Sequence, residues 1–390
     1  MPRRILHLDL DAFFCAVEEL FDPSLQGKAF AVGGSPDGRG VVASCSYPAR
    51  AFGVHSAMPM SQAVRICPGL IVVSHGHGRY GEMSAKVIDR LREVSSLVEQ
   101  ISIDEAFVDI TDMSEESLQI AQALQARVNN ELKLPCSIGI ASNKLVAKIA
   151  TDAGKVRERA RGGYPNAITI VPFGGEEGFL APLPVNSLWG VGPKTEARLK
   201  TYGISSIGDL AKFSEKRLEE LFGEHGRDLY KRCRGIDQRP VSEGHTAKSV
   251  SQERTFHQDV SDFAELERVL RKLSFEVGKN LRKEGLAGMT IKLKLRWSDF
   301  TTITRQKKLD TPTVLDEEIF GSALELLRAH HPAGKAVRLI GVGVSSLVEP
   351  VRQLGLFDQQ ELKRMKLQKA LDELQEKFGN KSITRGKEKI

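Results

Sequence analysis

The segment Ile5-Leu6-His7-Leu8-Asp9-Leu10-Asp11, near the start of a chain of 390 residues, sets charge into an otherwise apolar run. The period of two in a strand puts Leu6, Leu8 and Leu10 on one face and His7, Asp9 and Asp11 on the other. One face can pack in a core while the other opens on a cleft, so the segment reads as a strand that carries a site. Two carboxylates in that run exclude a secretory signal peptide. Nowhere does the sequence approach the roughly 18 uninterrupted apolar residues that mark a membrane-spanning helix. The 5 cysteines form no Cys-x-x-Cys pair, which signals neither a disulfide framework nor a zinc site. A reducing cytoplasm is the expected location.

A second acidic site is Ser102-Ile103-Asp104-Glu105, flanked by apolar strand residues, where a hairpin turn would expose both carboxylates. Drawing Asp9, Asp104 and Glu105 together concentrates negative charge, which without a cation favours protonation of one carboxyl. Hard divalent cations with oxygen ligands relieve that repulsion. A pair of them about 3.5 to 4 Å apart is the arrangement that serves in-line phosphoryl and nucleotidyl transfer. The plainer reading gives both acidic pairs to solubility on surface strands and turns, and their apolar flanks weigh against it.

At this length two to four domains are expected. Strands are expected at about 4–10 and 28–33, around ISIDEAFVDI and at CSIGIA. Helices are expected near 11–20, at SQAVRIC and YGEMSAKVIDRLREV, near 115–132 and at NKLVAKIATDA. Strands and helices alternate without a regular βαβ spacing, so a mixed sheet with helices packed on it follows. Composition changes near residue 179, where helical pieces begin and run to about 233. The polar, aperiodic stretch 234–245 reads as a linker. Beyond it come a helix at about 262–284 and strands such as MTIKLKLRW and AVRLIGVGVSSL. A last amphipathic helix, about 359–378, has Leu367, Leu371, Leu374 and Phe378 on one stripe.

Lys plus Arg number 56 against 50 Asp plus Glu, an excess that mildly favours a polyanionic partner. Its placement says more: residues 144–163 hold six bases against two acids, 291–308 six against one, and 351–390 ten against six.

LDLDAFFCAVEE at the start, SCSYPARAFGV at 44–54, SIDEAFVDI at 102–110 and SIGIASNKLVAKIATDAGK at 137–155 resemble the motifs of the Y-family DNA polymerases, in particular the bacterial DNA polymerase IV (DinB) group. LWGVGPKT at 188–195 and KSVSQERTF at 248–256 continue the match in the family's order. The resemblance implies an α+β multidomain right-hand polymerase. Its parts would be a discontinuous palm with a ferredoxin-like mixed sheet (1–19 and 78–178), small fingers (20–77), a helical thumb with a helix-hairpin-helix (179–233), an α/β little finger (246–348) and a tail (349–390). The implied activity is template-directed, error-prone translesion DNA synthesis without proofreading, on primer–template DNA and dNTPs, by a cytoplasmic monomer with no membrane contact.

Carried over residue by residue, Asp9, Asp104 and Glu105 resemble the catalytic metal ligands for two Mg²⁺, with the Leu10 carbonyl as a further oxygen; Asp11 is not usually a ligand in this family. Tyr47, Arg50 and Lys155 match triphosphate-binding positions, with Ser44 as an added donor. An Arg fork, a Lys point charge and a phenol donor suit phosphate oxygens. By its residue type alone Tyr47 is equally a packing aromatic. After Lys155, VRERARGGYPNA is longer and more basic than the short turn common in the family. Phe14 falls at the steric-gate position, where a ring under the sugar clashes with a ribose 2′-hydroxyl, whereas Phe13 reads as core.

Gly190-Val191-Gly192-Pro193-Lys194 has the look of a DNA-binding helix-hairpin-helix or a plain helix–helix turn. Its glycines let backbone approach a phosphate, and Pro193 suits the first turn of a helix whose N-terminus favours an anion. IKLKLRW alternates strictly, so Lys292, Lys294 and Arg296 share a face at about 7 Å spacing, comparable with the phosphate repeat of one DNA strand. A solvated sheet face is the bland alternative. Gln353, Leu354, Leu356 and Phe357 resemble the Q-L-x-L-F peptide that binds the bacterial sliding clamp; a tail that covers them is the competing reading. Two other functions fit parts of the sequence. A catalytically inert DNA-binding and clamp-tethering protein is opposed by the intact carboxylates, and a nucleotidyl cyclase by the hairpin and the basic strand.

Overall fold

The computed structural model describes residues 2–76, 78–158, 163–244 and 247–349, and then 367, 368, 370, 371, 373, 374, 377 and 378. The described strands, in chain order, are β1 Ile5–Leu10, β2 Phe30–Gly33, β3 Val42–Cys45, β4 Ile71–Val73, β5 Val98–Gln100, β6 Glu105–Asp109, β7 Cys136–Ala141, β8 Ile168–Ile170, β9 Ser249–Val260, β10 Ala287–Trp297, β11 Thr302–Thr313 and β12 Val337–Val348. They form sheets of order β5-β6-β1-β7-β8, β3-β2-β4 and β11-β10-β12-β9. The chain divides into two compact units, residues 1–245 and 246–390. No described helix is long and apolar enough to cross a membrane.

β1 is the centre of the first sheet, antiparallel to β6 and β7, while β7 and β8 run parallel. The expected mixed sheet is therefore present. Leu6, Leu8 and Leu10 pack with Ala106, Val108, Ile138 and Ile140 against helices Arg79–Arg92 and Ser117–Leu132. The opposite face differs from expectation. His7 is fully buried there rather than facing a cleft, because helix Lys144–Glu158 lies on it. Its approach is close at Gly139, where a Cβ would stand 2.1 Å from the Ala147 carbonyl oxygen. Asp9, at the end of the strand, is the residue of this face that reaches the rim.

The small sheet β3-β2-β4 closes over its own core of Ala31, Val42, Val54, Met60 and Cys67 with helices Tyr47–Ala51 and Met60–Ile66. Short helices between Pro193 and Arg232 bury Leu199, Ile207, Leu210, Leu218 and Leu229. The stretch read as a linker is bound to the first unit through Ser242. Asn143 Nδ2 donates to the Gly235 carbonyl at 2.8 Å, Leu145 N to Asp237 at 3.2 Å, and Ser242 N to Glu99 at 3.0 Å. Polar composition here reflects bonds to the palm-like sheet, not a free chain.

In the second unit, helices Phe263–Lys283 and Asp316–His330 cover one face of the antiparallel sheet, with Leu266, Leu270, Ile291, Leu293, Leu295 and Val342 in the core. Described residues of the expected last helix are helical, but its stripe is not a buried face. Leu367, Leu374 and Phe378 are exposed, while Gln368 is buried and donates to Asp316 at 2.6 Å. Gln368 can be buried because its amide meets a buried carboxylate.

Candidate active site

Helix Lys144–Glu158 presents Lys144, Lys148, Thr151 and Lys155 to the sheet, a stripe at i, i+4, i+7 and i+11. Each meets a polar group on the strands below. Lys144 holds Glu99, Lys148 Nζ donates to Glu105 Oε2 at 2.7 Å, and Thr151 Oγ1 lies 2.9 Å from His7 Nδ1. Lys155 donates to Asp9 and lies 3.2 Å from Asp11. Lys148 was missed from the sequence, although its place seven residues before Lys155 puts both on one helical face.

Asp9 and Glu105 are direct cross-strand partners. Leu10 N donates to the Asp104 carbonyl at 3.0 Å, which fixes the β5–β6 turn beside the end of β1. Asp104 is half-exposed in that turn, its Oδ1 accepting from Ser102 at 2.6 Å. Burial raises the Asp9 carboxyl to about 7; Lys155 opposes the shift, while Glu105 and Asp104 add to it. Burial also acts on Glu105, but the neighbouring His7 and the hydrogen bond from Lys148 outweigh it and hold that carboxyl well below its ordinary value. His7 itself is pushed down by burial, and its Nε2 stands 3.7 Å from Glu105 without a hydrogen-bond partner.

The donor set fits a hard divalent cation: oxygens only, from buried or half-buried carboxylates that repel one another. As placed, no three acidic, His or Cys side chains among the described residues converge on one point. Lysine ammonium groups and Ser102 hold them instead. Asp11 is fully buried: Ser137 Oγ lies 3.0 Å from each of its carboxylate oxygens, and Asn166 N donates to Oδ2 at 3.0 Å.

Tyr47, Arg50, Lys155, Asp9 and Asp11 are electrostatic neighbours. Ser46 caps the helix that carries Tyr47 and Arg50, accepting from Ala49 N. Burial pushes the Tyr47 phenol up to about 12, so it remains a donor. The Arg50 guanidinium lies 4.8 Å from the Tyr47 ring centre, and its Nε donates to the Cys45 carbonyl at 3.1 Å. Ser44 is buried on β3, its Oγ 3.6 Å from the Cys15 sulfur. Burial works against the Lys155 ammonium, but Asp9 and Asp11 outweigh it and keep its pKa above the lysine norm. The carboxylates and the side chains expected to receive a triphosphate thus share one lysine.

Phe13 is in the core. Phe14 is half-buried and stacks on Tyr80, ring centres 4.1 Å apart at 17°. Tyr80 in turn donates to the buried Glu18 at 2.6 Å. The sequence placed Tyr80 on a helix but carried no sign of this support.

Gly190 takes φ +97°, and a Cβ there would lie 2.4 Å from Arg232 Nη1. The positive φ is what calls for glycine here, since the tip of Arg232 is a flexible side chain that can shift. Gly192 caps helix Pro193–Lys200, with Pro193 in its first turn; both, with Gly190 and Lys194, are exposed. On β10 the alternation is as expected. Ile291, Leu293, Leu295 and Trp297 are buried, and Lys292, Lys294 and Arg296 are half-exposed on the face away from the helices. Lys294 reaches Glu253 on β9 at 2.7 Å. Gln353, Leu354, Leu356 and Phe357 lie outside the described residues.

Family models described as the impB/mucB/samB family, the DNA polymerase-iota thumb domain and the impB/mucB/samB family C-terminal domain match residues 8–152, 186–237 and 247–356. The chain is 39% identical to the DNA polymerase IV of Dehalococcoides mccartyi over 391 residues, covering 99% of this chain and 97% of that one. It is 40% identical to the DNA polymerase IV of Desulfatibacillum aliphaticivorans, covering 97% and 95%, and 37% to that of Bacillus velezensis, covering 98% and 92%. A solved Y-family DNA polymerase chimera aligns with a TM-score of 0.77 at 25% identity, covering 88% of this chain and 99% of the other. Motif order, the fold and near-full-length identity agree: the chain belongs to the Y-family DNA polymerases, in their DNA polymerase IV group.

Proposed function

We propose that this polymerase extends a primer 3′-hydroxyl opposite a DNA template through Asp9, Asp104 and Glu105, with the triphosphate received by Tyr47, Arg50 and Lys155. Y-family enzymes are metal-dependent translesion DNA polymerases acting on primer–template DNA with dNTPs. The roles of Asp9, Asp104, Glu105, Tyr47, Arg50 and Lys155 are our proposal. The observation that carries them is the junction of the two side-chain sets, where Lys155 faces Asp9 and Asp11 beside Tyr47. Carboxylates that share a lysine with side chains suited to phosphate are an arrangement that nucleotidyl transfer can use.

Asp9, Asp104, Glu105 and the Leu10 carbonyl would hold two Mg²⁺. Bound there, the ions supply Lewis acidity toward the hydroxyl and charge neutralisation for the triphosphate. Arg50 and Lys155 orient the phosphates by charge, the Tyr47 hydroxyl donates to them, and Ser44 stands behind as an added donor. Phe14, fixed by Tyr80, excludes a ribose 2′-hydroxyl. The exposed hairpin Gly190–Lys194 and the β10 cations Lys292, Lys294 and Arg296 take the DNA backbone without reading its sequence. Gln353-Leu354-Gly355-Leu356-Phe357 tethers the enzyme to the sliding clamp as a short peptide with apolar anchors. Synthesis is of low fidelity and unproofread, by a cytoplasmic monomer.

Primer extension with Mg²⁺ and four dNTPs tests the reading. The wild type should extend the primer, and Asp104→Ala should fall by about 10³-fold or more. Comparable extension by the two would remove the carboxylate assignment.

A further inference from the structure

We propose that Tyr164 is a positioning residue for Tyr47: its ring braces the Tyr47 phenol from the edge and its hydroxyl ties that brace to the helix carrying the Phe14 gate. The inference rests on the nucleotide-binding reading of Tyr47.

Tyr164 lies in the segment VRERARGGYPNA after Lys155, three residues before its end. Its ring centre lies 5.4 Å from that of Tyr47 at 78°, the edge-to-face arrangement that aromatic pairs favour. Its hydroxyl donates to Glu19 Oε2 at 2.9 Å, and Glu19 belongs to helix Phe13–Phe21, as Phe14 does. Two residues further on, Asn166 is fixed to the catalytic sheet. Its N donates to Asp11 Oδ2 at 3.0 Å, and its Oδ1 accepts from Cys136 N at 3.2 Å. The backbone that carries Tyr164 is thus anchored on the carboxylate that also faces Lys155.

Tyr47 needs such a brace because of what lies beside it. A cavity of about 1010 Å³ is lined by Tyr47, Pro48, Ala51, Glu19, Leu134 and Tyr164. Space on that scale gives a phenol room to rotate away from a triphosphate. The guanidinium of Arg50 bounds the ring at 4.8 Å and Tyr164 meets it at 5.4 Å. Burial raises the Glu19 carboxyl while the Tyr164 donor lowers it, so the bond has a price in desolvation that the brace must exceed. Without Tyr164 the phenol is free to leave the phosphate-facing orientation, and re-ordering it falls on nucleotide binding.

The test is a double-mutant cycle of Tyr164→Ala and Tyr47→Ala, read by single-nucleotide incorporation on a primer–template with Mg²⁺, with thermal unfolding of each protein. Tyr164→Ala should raise KM for the dNTP about tenfold, with kcat within about threefold, and Tyr164→Phe should fall between it and the wild type. In the Tyr47→Ala background, Tyr164→Ala should change KM by less than about twofold. A full tenfold rise in that background overturns the brace while leaving Tyr47 as a nucleotide ligand. So does a loss of kcat with a lowered thermal midpoint and unchanged KM. An unchanged KM in Tyr47→Ala itself removes the nucleotide-binding reading, and the brace falls with it.

Discussion

The two ends of helix Lys144–Glu158 carry the same chemistry in different settings. At the first end Lys144 Nζ donates to both Glu99 oxygens, at 3.0 and 2.8 Å, with the side chains 6% and 5% exposed. Ser242 N completes the Glu99 carboxylate, and the Phe107 ring lies 5.7 Å from the ammonium. At the other end Lys155 is shared between Asp9 and Asp11, with Asp104 and Glu105 nearby and the Lys155 and Asp9 side chains 19% and 13% exposed. One end is neutral and closed, so it acts as a clamp between sheet, helix and the strap that ends the first unit. The other has more carboxylates than ammonium groups and an open side. That excess of negative charge is what would suit this end to divalent cations, which in turn would offset the charge of a phosphate.

Breaking the closed end should have the largest effect on stability. Glu99→Ala leaves a buried ammonium unpaired and should cost about 3 to 5 kcal/mol, measured by urea unfolding of the first transition; a cost under about 1 kcal/mol would erase the contrast. At the open end, Lys155→Gln should raise KM for dNTPs about 10- to 100-fold, or about 1.4 to 2.7 kcal/mol, with a smaller loss of stability. Steady-state incorporation kinetics check it, and an unchanged KM would assign Lys155 to structure alone. A third pair extends the scale: Lys294 and Glu253, 37% and 52% exposed. Lys294→Ala should change stability by less than about 1 kcal/mol and lower the slope of log affinity for DNA against log salt by about one. An unchanged slope would take Lys294 out of the DNA-binding face.

Much of this was legible in residue order. The alternation of β10 and the apolar spacing of the longer helices appear in the structure because each element is buried on one face, whereas β1 alternates in residue type with both of its faces covered. Less visible were β9 and β11, whose residues are mostly exposed. An edge strand with little burial has no hydrophobic alternation to read. The short strands β3, β4 and β8 hold too few residues to show a period. The cover over His7 also escaped the sequence, since a polar strand face looks alike whether water or a helix of matched polar groups lies on it. Asp9, Asp104, Glu105, Tyr47, Lys155 and Phe14 were found as motif residues, whereas Lys148, Tyr80 and Tyr164, which meet Glu105, Phe14 and Tyr47, were not. A motif marks chemistry, while support comes from whichever distant side chain the fold delivers.

The most direct test of the open end is single-turnover incorporation of one dNTP in Mg²⁺ by Asp9→Asn, a substitution that keeps the shape and removes the charge. The account predicts a thermal midpoint close to that of the wild type and a rate lower by about 10³-fold or more. A rate within about tenfold of the wild type by the folded protein would contradict it.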